Sequence, residues 1–362
     1  MSVGRLAVLT SGGDAPGMNA AIWAVMKVAA ARGIDVVGVE RGFDGLVDGA
    51  FVDLTRRLAD GSVAPISGLE GVAGTGGTFL GSSRSARFRD REGRAEAARR
   101  LADAGIGGLV VIGGNGSLTG AHLLATEGDV PVVGIPATID NDVGGSTDAI
   151  GVDTALNTII DACDRLSDTA RSHHRAFIVE VMGRRSGYLA MASAVAAVAD
   201  AVLLPEQPAP EDQVVEELER VLRWSFSPER NKPRVLVIKA EGVPTPVHRL
   251  AERLAGRVAD LENVSVRTVV LGHLVRGGHP SFHDRLVAGR LARAAVDALV
   301  AGRSDVMAAW EPNVGEPSVD PKVGLVDLAT MIEETERLLD GTSEVTVRRI
   351  RLMKEARAVL AL

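Results

Sequence analysis

The chain has 362 residues, of which 46% are hydrophobic and 24% are charged, so it is long enough for about two globular domains and too apolar to be disordered. Its 47 acidic residues outnumber its 40 lysines and arginines, which disfavours nucleic acid as the main partner. The first residues lack a basic segment followed by an apolar one, and no apolar run is long enough to span a membrane, so we expect a cytoplasmic protein without membrane contact.

Short apolar runs alternate along the chain with segments in which apolar residues recur every three or four positions. The apolar runs predict buried strands at 6–9, 36–39, 109–112, 132–135, 176–181, 201–204, 235–238 and 268–271. The periodic segments predict helices at 18–32, 91–104, 118–127, 153–170 and 213–226. This alternation is typical of an α/β fold, doubly wound around a mostly parallel sheet. The only cysteine, Cys163, falls in the fourth helix and is predicted to be a buried structural thiol.

Two predicted strands are followed directly by glycine-rich loops. Residues 10–17 read TSGGDAPG and residues 113–117 read GGNGS, and a predicted helix follows each loop. Glycines let backbone N–H groups approach an anion, and the N-terminus of the next helix adds partial positive charge. A plain tight turn also accounts for either loop alone, but two such loops favour a phosphate site.

Charged groups follow the other predicted strands. Asp140 and Asp142 in the loop PATIDND have the chemistry of a general base and a Mg²⁺ ligand, although an Asx turn would also use them. Arginines suited to phosphate follow two later strands, in MGRRSG at 182–187 and in the segment 267–278, which also contains His273. A buried core histidine is the alternative for His273. Two anion sites with carboxylates between them are the layout for phosphoryl transfer.

Six segments together resemble one known family. They occur in the order found in the bacterial-type, ATP-dependent 6-phosphofructokinases. The segments are LTSGGDAPGMNAAI, GGTFLGSSR, GGNGS, TIDND, VEVMGR and LGHLVRGG. The resemblance implies an α/β fold of two doubly wound domains with mostly parallel sheets. It implies a nucleotide-binding domain at 1–150 plus about 277–325, and a sugar-phosphate-binding domain at 151–276 plus about 326–362. The implied reaction is a kinase step of glycolysis, in which MgATP phosphorylates the 1-hydroxyl of fructose 6-phosphate in a homotetramer with shared active sites.

The same resemblance implies roles for individual residues. The catalytic positions, with Asp140 as general base, are Asp140, Thr138, Arg184, Asp142 and Gly13. The nucleotide positions are Gly13, Arg84, Gly114, Asn115, Gly116 and Ser117, and the Mg²⁺ positions are Asn115 and Asp142. The sugar-phosphate positions are Thr138, Asp140, Arg175, Met182, Gly183, Arg184, Glu241, Arg267, His273 and Arg276. Two of these, Arg175 and Arg267, match arginines that reach into a neighbouring subunit's site.

Departures from the family pattern leave alternatives open. Asn115 stands where ATP-using members usually have an aspartate near Mg²⁺, so weaker metal binding is expected unless Asp142 or water compensates. Small residues at Gly116 and Ala137 favour ATP over pyrophosphate. Where the family carries arginines that bind effectors, this chain has Trp23, Lys27 and Ser167, which makes control by ADP or phosphoenolpyruvate doubtful. The remaining alternatives are a pyrophosphate-dependent enzyme, a kinase for another sugar phosphate such as sedoheptulose 7-phosphate, and a catalytically weak regulatory subunit.

Overall fold

The computed structural model describes residues 4–261, 264–348, 350 and 351. Among them, no helix combines the length and the apolar character needed to cross a membrane. The final part of the predicted smaller domain, residues 352–362, lies outside the described residues.

Strands and helices alternate along the described chain. The strands are β1 Arg5–Ser11, β2 Asp35–Val39, β3 Phe51–Asp53, β4 Thr55–Arg57, β5 Val63–Pro65, β6 Gly108–Gly113, β7 Val132–Pro136, β8 Arg175–Val181, β9 Ala201–Leu203, β10 Arg234–Ala240, β11 Ser265–Val270, β12 Val306–Trp310, β13 Glu316–Pro317 and β14 Val323–Asp327. The α-helices are α1 Met18–Ala30, α2 Gly42–Asp48, α3 Arg91–Asp103, α4 Asn115–Gly128, α5 Val152–His173, α6 Tyr188–Ala196, α7 Glu211–Ser225, α8 Val247–Arg257, α9 Phe282–Val300 and α10 Leu328–Asp340. Every predicted strand and helix is confirmed, with ends that shift by at most 3 residues.

The described residues form two compact units. Unit 1 comprises the residues up to Thr154 together with Arg276–Glu336, and unit 2 comprises Ala155–Val275 together with the residues from Arg337 onwards. The boundaries of the predicted domains lie at residue 150, at about 276 and at about 325, whereas those of the two units lie after residues 154, 275 and 336. Which unit binds which substrate remains a prediction.

Unit 1 is built on an eight-stranded sheet with the strand order β13-β14-β12-β7-β6-β1-β2-β3. The central strands β12, β7, β6, β1 and β2 run parallel, and β3, β13 and β14 pair antiparallel at the two edges. Ala7 and Leu9 of β1 pack in one core with α2, α3, α4 and α10, while the alternating residues Leu6 and Val8 are buried as well. Strands covered on both faces need apolar side chains throughout, which explains the continuous apolar runs. The carboxyl ends of β1, β6 and β7 therefore lie side by side.

Unit 2 is built on a four-stranded parallel sheet with the order β11-β8-β10-β9. Ile178 and Val237 pack with α7 and α8 on one face, and the alternating residues Leu236 and Ile238 are also buried. Both faces are covered, as in a doubly wound fold, so the loops at the carboxyl ends of its strands are the places open to a ligand.

Cys163 lies on the part of α5 that belongs to unit 2. It is completely buried, and this burial raises the pKa of its thiol to about 11, with a smaller contribution in the same direction from Asp164. The prediction of a buried structural thiol is confirmed, because a thiol with so high a pKa forms little of the reactive thiolate at neutral pH.

Candidate active site

Three predicted loops meet at the carboxyl end of the unit 1 sheet. β6 lies between β1 and β7, and in these ladders Gly113 pairs with Ser11 on one side and with Pro136 on the other. The backbone N–H of Ala137 donates to the carbonyl oxygen of Gly113 at 2.9 Å, which joins the loop after β7 to the loop after β6. Because the three strands are parallel and end together, the residues that follow them are neighbours.

The loop after β1 brings Gly13 against Arg276. The Arg276 side chain is buried, and its Nη1 donates to the carbonyl oxygen of Asp14 at 2.9 Å. A Cβ at Gly13 would lie 2.6 Å from the same Nη1, so a larger residue would displace the guanidinium. Residues that the sequence assigns to nucleotide and to sugar phosphate are thus in contact within unit 1.

Two further segments close on Gly12. The hydroxyl of Ser82 donates to the carbonyl oxygen of Gly12 at 2.8 Å, which places the exposed Arg84, two residues on, beside the loop. From the other side, the Ser117 hydroxyl is near enough that a Cβ at Gly12 would be 3.1 Å from it. The predicted nucleotide residues Arg84 and Ser117 therefore flank the first glycine loop.

Helix α4 begins directly at the end of β6. Gly114 precedes it in an extended conformation, and Asn115, Gly116 and Ser117 form its first turn. The N–H groups of a first helical turn lack partners inside the helix, and the helix dipole favours a negative charge there. Gly116 is exposed, and a Cβ on it would meet no heavy atom of the described residues within 4 Å. This turn therefore has open space in front of it.

The loop after β7 carries the two predicted carboxylates. Asp140 is 2% exposed and Asp142 is 7% exposed. The hydroxyl of Thr138 accepts a hydrogen bond from the backbone N–H of Asp140 at 3.2 Å. Between the carboxylates, Asn141 has a φ of 47°, and its side-chain amide donates to the carbonyl oxygen of Thr147 at 3.0 Å. The left-handed turn thus falls on asparagine, a residue that tolerates it, with one sheltered carboxylate on each side.

Asn115 connects this loop with two helices. Its Nδ2 donates to the carbonyl oxygen of Asp142 at 3.1 Å, and its Oδ1 accepts from the Thr335 hydroxyl of α10 at 3.3 Å. The same hydroxyl accepts from the backbone N–H of Gly144 at 2.8 Å. Sequence reasoning misses Thr335, because no motif surrounds it and 220 positions separate it from Asn115. Asn115 therefore has a structural use that the sequence does not reveal.

In unit 2, Glu241 holds the loop that follows β8. Its backbone N–H donates to the carbonyl oxygen of Val181 at 2.9 Å, which extends the β10–β8 ladder by one residue. Its Oε1 accepts from the N–H groups of Gly183 at 3.2 Å and Arg184 at 2.7 Å. Both loop residues have positive φ angles, 142° and 53°, and a Cβ at Gly183 would collide with the carbonyl oxygen of Ser186. The Glu241 carboxylate thus stabilises an unusual backbone that carries the exposed Arg184.

His273 and Met182 lie at the same end of the unit 2 sheet. The backbone N–H of Leu271 donates to the carbonyl oxygen of Glu180 at 3.0 Å, so β11 and β8 end together. His273 follows in the short 3₁₀-helix Gly272–Arg276 and is exposed, so the alternative of a buried core histidine is wrong. Met182 is 9% exposed directly after β8.

Arg175 and Arg267 do not reach that end of the sheet. Arg175 begins β8, so about 20 Å of strand separates it from Val181 at the other end. Arg267 pairs with Phe177 along β11, the strand at the sheet edge, and is exposed. Within one chain, these two arginines lie apart from the other predicted sugar-phosphate residues of unit 2.

The predicted site residues are divided between the units. Unit 1 carries the predicted nucleotide and metal residues together with Thr138, Asp140 and Arg276. Unit 2 carries the rest of the predicted sugar-phosphate residues, which are Arg175, Met182, Gly183, Arg184, Glu241, Arg267 and His273.

Known proteins share this arrangement of sequence and fold. The family described as Phosphofructokinase matches residues 5–299. The curated ATP-dependent 6-phosphofructokinase of Thermotoga neapolitana is 46% identical over 309 residues, which are 85% of this chain and 90% of that protein. The ATP-dependent 6-phosphofructokinase 1 of Thermus thermophilus is 43% identical over 337 residues, which are 93% of this chain and 95% of that protein.

A solved structure extends the likeness to the fold. The phosphofructokinase of Saccharomyces cerevisiae matches with a TM-score of 0.79 at 30% identity, over 99% of this chain. The chain spans about half the length of that yeast protein, 48%. The family match covers most of the chain and contains the loops that end β1, β6, β7 and β8. The resemblance of the six segments is therefore confirmed, and the chain belongs to the phosphofructokinase family.

Proposed function

We propose that this chain is an ATP-dependent 6-phosphofructokinase, which transfers the γ-phosphoryl group of ATP to the 1-hydroxyl of fructose 6-phosphate in glycolysis. The observation that carries the proposal is the meeting of three loops at one end of the unit 1 sheet, with Asp140 sheltered among them. The relatives with more than 40% identity are named for this activity. The reaction takes place where ATP and sugar phosphates are found, so we assign the enzyme to the cytoplasm.

The nucleotide phosphates bind at the glycine loops of unit 1. Backbone N–H groups at Gly13, Asn115 and Gly116 are available to the anion, and the dipole of α4 adds favourable charge. Arg84, exposed beside the first loop, supplies a guanidinium that can donate two parallel hydrogen bonds to one phosphate.

Asp140 acts as the general base of the transfer. The oxygen of the 1-hydroxyl forms a bond to the γ-phosphorus, the bond from that phosphorus to the bridging oxygen of ADP breaks, and the hydroxyl proton passes to the Asp140 carboxylate. Thr138 supports this geometry, because its hydroxyl accepts from the backbone N–H of Asp140. Arg184 offsets the charge that develops on the transferring group, an interaction that grows in the transition state.

Mg²⁺ fits the donors present at the end of β7. Mg²⁺ bound to nucleotides takes one or two carboxylates, with phosphate oxygens and water completing its six ligands. The described residues contain no group of three or more acidic, histidine or cysteine side chains that could hold a metal ion. Asp142 would hold the ion, and Asn115 would contribute its Oδ1 while keeping its amide on the Asp142 carbonyl oxygen. When bound, the ion neutralises phosphate charge.

The sugar phosphate binds at the end of the unit 2 sheet. Glu241 has one oxygen engaged with the Gly183 and Arg184 N–H groups, and its other oxygen is available for sugar hydroxyls. His273 is exposed there and supplies a neutral or cationic donor to the 6-phosphate. Met182 provides an apolar surface beside them. The resemblance also assigns Arg276, a residue of unit 1, to the sugar phosphate.

A second copy of the chain completes this sugar-phosphate site. Measured along the strands, Arg267 lies about 13 Å and Arg175 about 20 Å from the carboxyl end of β8 in their own chain. Arg267 is exposed on an edge strand, where it can reach a neighbouring molecule. We therefore assign the protein to a homotetramer with shared active sites, as the resemblance implies.

ATP is the better donor for this site than pyrophosphate. The exposed Gly116 leaves open space in front of α4, which the α-phosphate of a nucleotide requires. Family members that use pyrophosphate carry a bulky acid there and a lysine at the position of Ala137, and this chain has neither. In the region of the family's effector site, Lys27 lies 5.8 Å from the Trp23 ring centre, and Ser167 is 4% exposed. These residues offer no arginine to ADP, so activation by ADP is not expected.

A coupled assay of the purified protein tests this proposal. ATP and pyrophosphate are each combined with fructose 6-phosphate and with sedoheptulose 7-phosphate, with ADP and phosphoenolpyruvate added in separate arms. Turnover is expected to be fastest with ATP and fructose 6-phosphate. A faster rate with pyrophosphate or with the seven-carbon sugar would contradict the assigned substrates. Sugar-phosphate binding without turnover by any pair would instead identify a regulatory subunit.

A further inference from the structure

A charged residue is buried near the carboxyl end of the unit 2 sheet. Among the described residues, Lys239 of β10 is the largest fully buried side chain, at 1% exposure. Its Nζ lies 2.7 Å from Oε2 of Glu180 on β8 and also donates to the carbonyl oxygen of Ala240 at 3.2 Å. A buried ammonium group is tolerated only when it is paired and hydrogen-bonded, and both conditions are met here.

The ion pair lies directly beneath the predicted sugar-phosphate loop. Lys239 and Glu180 are opposite each other in the β10–β8 ladder, and only one pair, Ala240 with Val181, follows before the ladder reaches Glu241. Side chains alternate along a strand, so Lys239 and Glu241 belong to the same face and are about 7 Å apart along it. On that face, the ion pair is thus the last pair of opposed side chains before Glu241.

Stability does not account for a charged pair at this position. The preceding pairs on the same face are apolar, Val235 with Ala176 and Val237 with Ile178. Replacing a buried ion pair by apolar residues of similar volume is often neutral or even stabilising. An ion pair differs from an apolar pair in that its hydrogen bond is directional, so it fixes one strand end against the other.

We propose that Lys239 is a positioning residue for the sugar phosphate: its ion pair with Glu180 fixes the strand ends so that Glu241 meets the loop after β8. Glu241 has to reach two N–H groups of that loop, at 2.7 and 3.2 Å, and a small slip of β10 along β8 would break both bonds. Lys239 itself does not touch the substrate. The inference rests on the proposed function, in which this loop binds fructose 6-phosphate.

The double variant Lys239→Met, Glu180→Met tests this role. It removes both charges together, so no unpaired buried charge remains and the sheet is expected to keep its stability. The KM for fructose 6-phosphate and its Kd by calorimetry should rise roughly tenfold, because the loop contact loses its fixed geometry. The KM for ATP and the melting temperature should stay close to wild type. Glu180→Gln keeps the shape of the side chain and one hydrogen bond, so it should give a smaller rise in the KM for fructose 6-phosphate. It replaces the double variant in the test if the double variant does not fold.

The matched control removes another sheltered ion pair, in unit 1. Arg94 donates to both carboxylate oxygens of Glu127, at 2.7 and 2.9 Å, and is 7% exposed. The variant Arg94→Met, Glu127→Met should leave the KM for fructose 6-phosphate unchanged. Unchanged sugar-phosphate binding in the folded Lys239 variants, or an equal rise in KM for both substrates, would overturn the positioning role. Wild-type protein that neither binds nor phosphorylates fructose 6-phosphate would refute the proposed function itself, before any variant is made.

Discussion

Neutral groups join the loops after β6 and β7 at the carboxyl end of the unit 1 sheet, whereas charged groups hold the corresponding end of the unit 2 sheet. In unit 1, the Asn115 amide and the Thr335 hydroxyl join segments that are far apart in the chain. In unit 2, the carboxylate of Glu241 binds the loop after β8, and the Lys239–Glu180 ion pair lies one step below it. The difference separates two tasks. Under the proposed function, Asp140 and Asp142 of unit 1 serve proton transfer and metal binding, while the carboxylates of unit 2 position the backbone and leave phosphate to arginines and His273.

The substitution Asp140→Asn tests the first half of this comparison and should have the largest effect. It preserves the shape of a side chain that is 2% exposed, but removes the base that accepts the hydroxyl proton. Loss of a general base lowers kcat by about 10²- to 10⁴-fold. Steady-state kinetics measures the loss, and calorimetry should show that ATP and fructose 6-phosphate still bind.

Asp103→Asn is the matched control, because this aspartate is exposed at the end of α3 in the same unit. It should leave kcat at the wild-type value. If Asp140→Asn keeps its kcat as well, Asp140 is not the base, and the sheltered carboxylates of unit 1 serve another purpose.

Arg267→Ser tests whether phosphate in unit 2 is left to arginines, including those of another copy. Removal of a charged hydrogen bond costs about 1.5 to 3 kcal/mol, so the KM for fructose 6-phosphate should rise roughly 10- to 100-fold. Arg220→Ser, on the exposed side of α7, is the control and should leave that KM unchanged.

Mixing the two impaired variants reveals whether sites are shared. Activity is measured at a fructose 6-phosphate concentration far below the KM of Arg267→Ser, where each variant alone is nearly inactive. Dissociation and reassociation of Asp140→Asn with Arg267→Ser gives hybrids in which one site has an intact Asp140 and receives an intact Arg267 from the neighbour. About a quarter of the wild-type activity should return for random pairing of subunits. No recovery in a mixture that demonstrably forms hybrids would place Arg267 outside the neighbour's site.

Local patterns predicted those parts of the molecule in which the signal is contiguous. The apolar runs of β1, β6 and β7, each with its loop residues directly behind it, indicated both the sheet and the unit 1 loops. The pattern missed β12, whose sequence VMAAW suits a helix as well as a strand, and α6, which has too few polar residues for a helical period. The three-residue strands β3, β4 and β5 depend on pairing partners rather than on their own composition.

The contacts between distant segments could not be predicted from the sequence, for a different reason. The predicted strand 235–238 stops before Lys239, because a lysine contradicts burial unless its partner is known. That partner, Glu180, lies 59 positions away on another strand. The contact of Thr335 could not be predicted either, since only the fold brings its hydroxyl to Asn115. Motifs thus indicated which residues take part in chemistry, and the three-dimensional structure indicated which residues position them.

Asn115→Asp sharpens the idea that unit 1 uses neutral groups for support. The added charge should lower the Mg²⁺ concentration needed for half-maximal activity by a few-fold, because the cation gains a second acidic neighbour. The lost amide donor to the Asp142 carbonyl oxygen should cost about 1 kcal/mol of the free energy of unfolding. Kinetics over a Mg²⁺ series measures the first effect, and urea unfolding without Mg²⁺ measures the second.

Asn115→Ala provides the comparison, since it removes the oxygen and the amide without adding charge. It should lose stability and gain no affinity for Mg²⁺. If Asn115→Asp leaves the Mg²⁺ dependence unchanged, position 115 does not face the metal and serves support alone.

The smallest expected effect on activity concerns Asp284, a buried carboxylate of unit 1 that accepts hydrogen bonds from neutral donors. It is 1% exposed, and its oxygens accept from the backbone N–H groups of Gly151 and Thr154 at 2.8 Å, where α5 begins. Burial is the largest influence and raises the pKa of this carboxyl above its ordinary value, although the hydrogen bonds from Thr154 and Gly151 act in the opposite direction. A raised pKa means that the protonated form is favoured in the folded protein. The stability this gives is complete below the ordinary pKa of about 3.9 and is lost as the pH rises through the folded value.

The isosteric variant Asp284→Asn makes that dependence measurable. Its amide leaves one of the N–H donors at the start of α5 without an acceptor, so it should be less stable than wild type by about 1 to 3 kcal/mol. Because only the wild type loses the contribution of the protonated carboxyl, the difference in the free energy of unfolding between the two proteins should narrow as the pH rises from about 4.5 to about 7.5. Urea unfolding of both proteins over this range measures the gap. A gap that widens with pH would mean that the N–H groups of Gly151 and Thr154, with the Thr154 hydroxyl, outweigh burial. Neutral donors would then stabilise a buried charge in unit 1, as the ammonium of Lys239 does in unit 2.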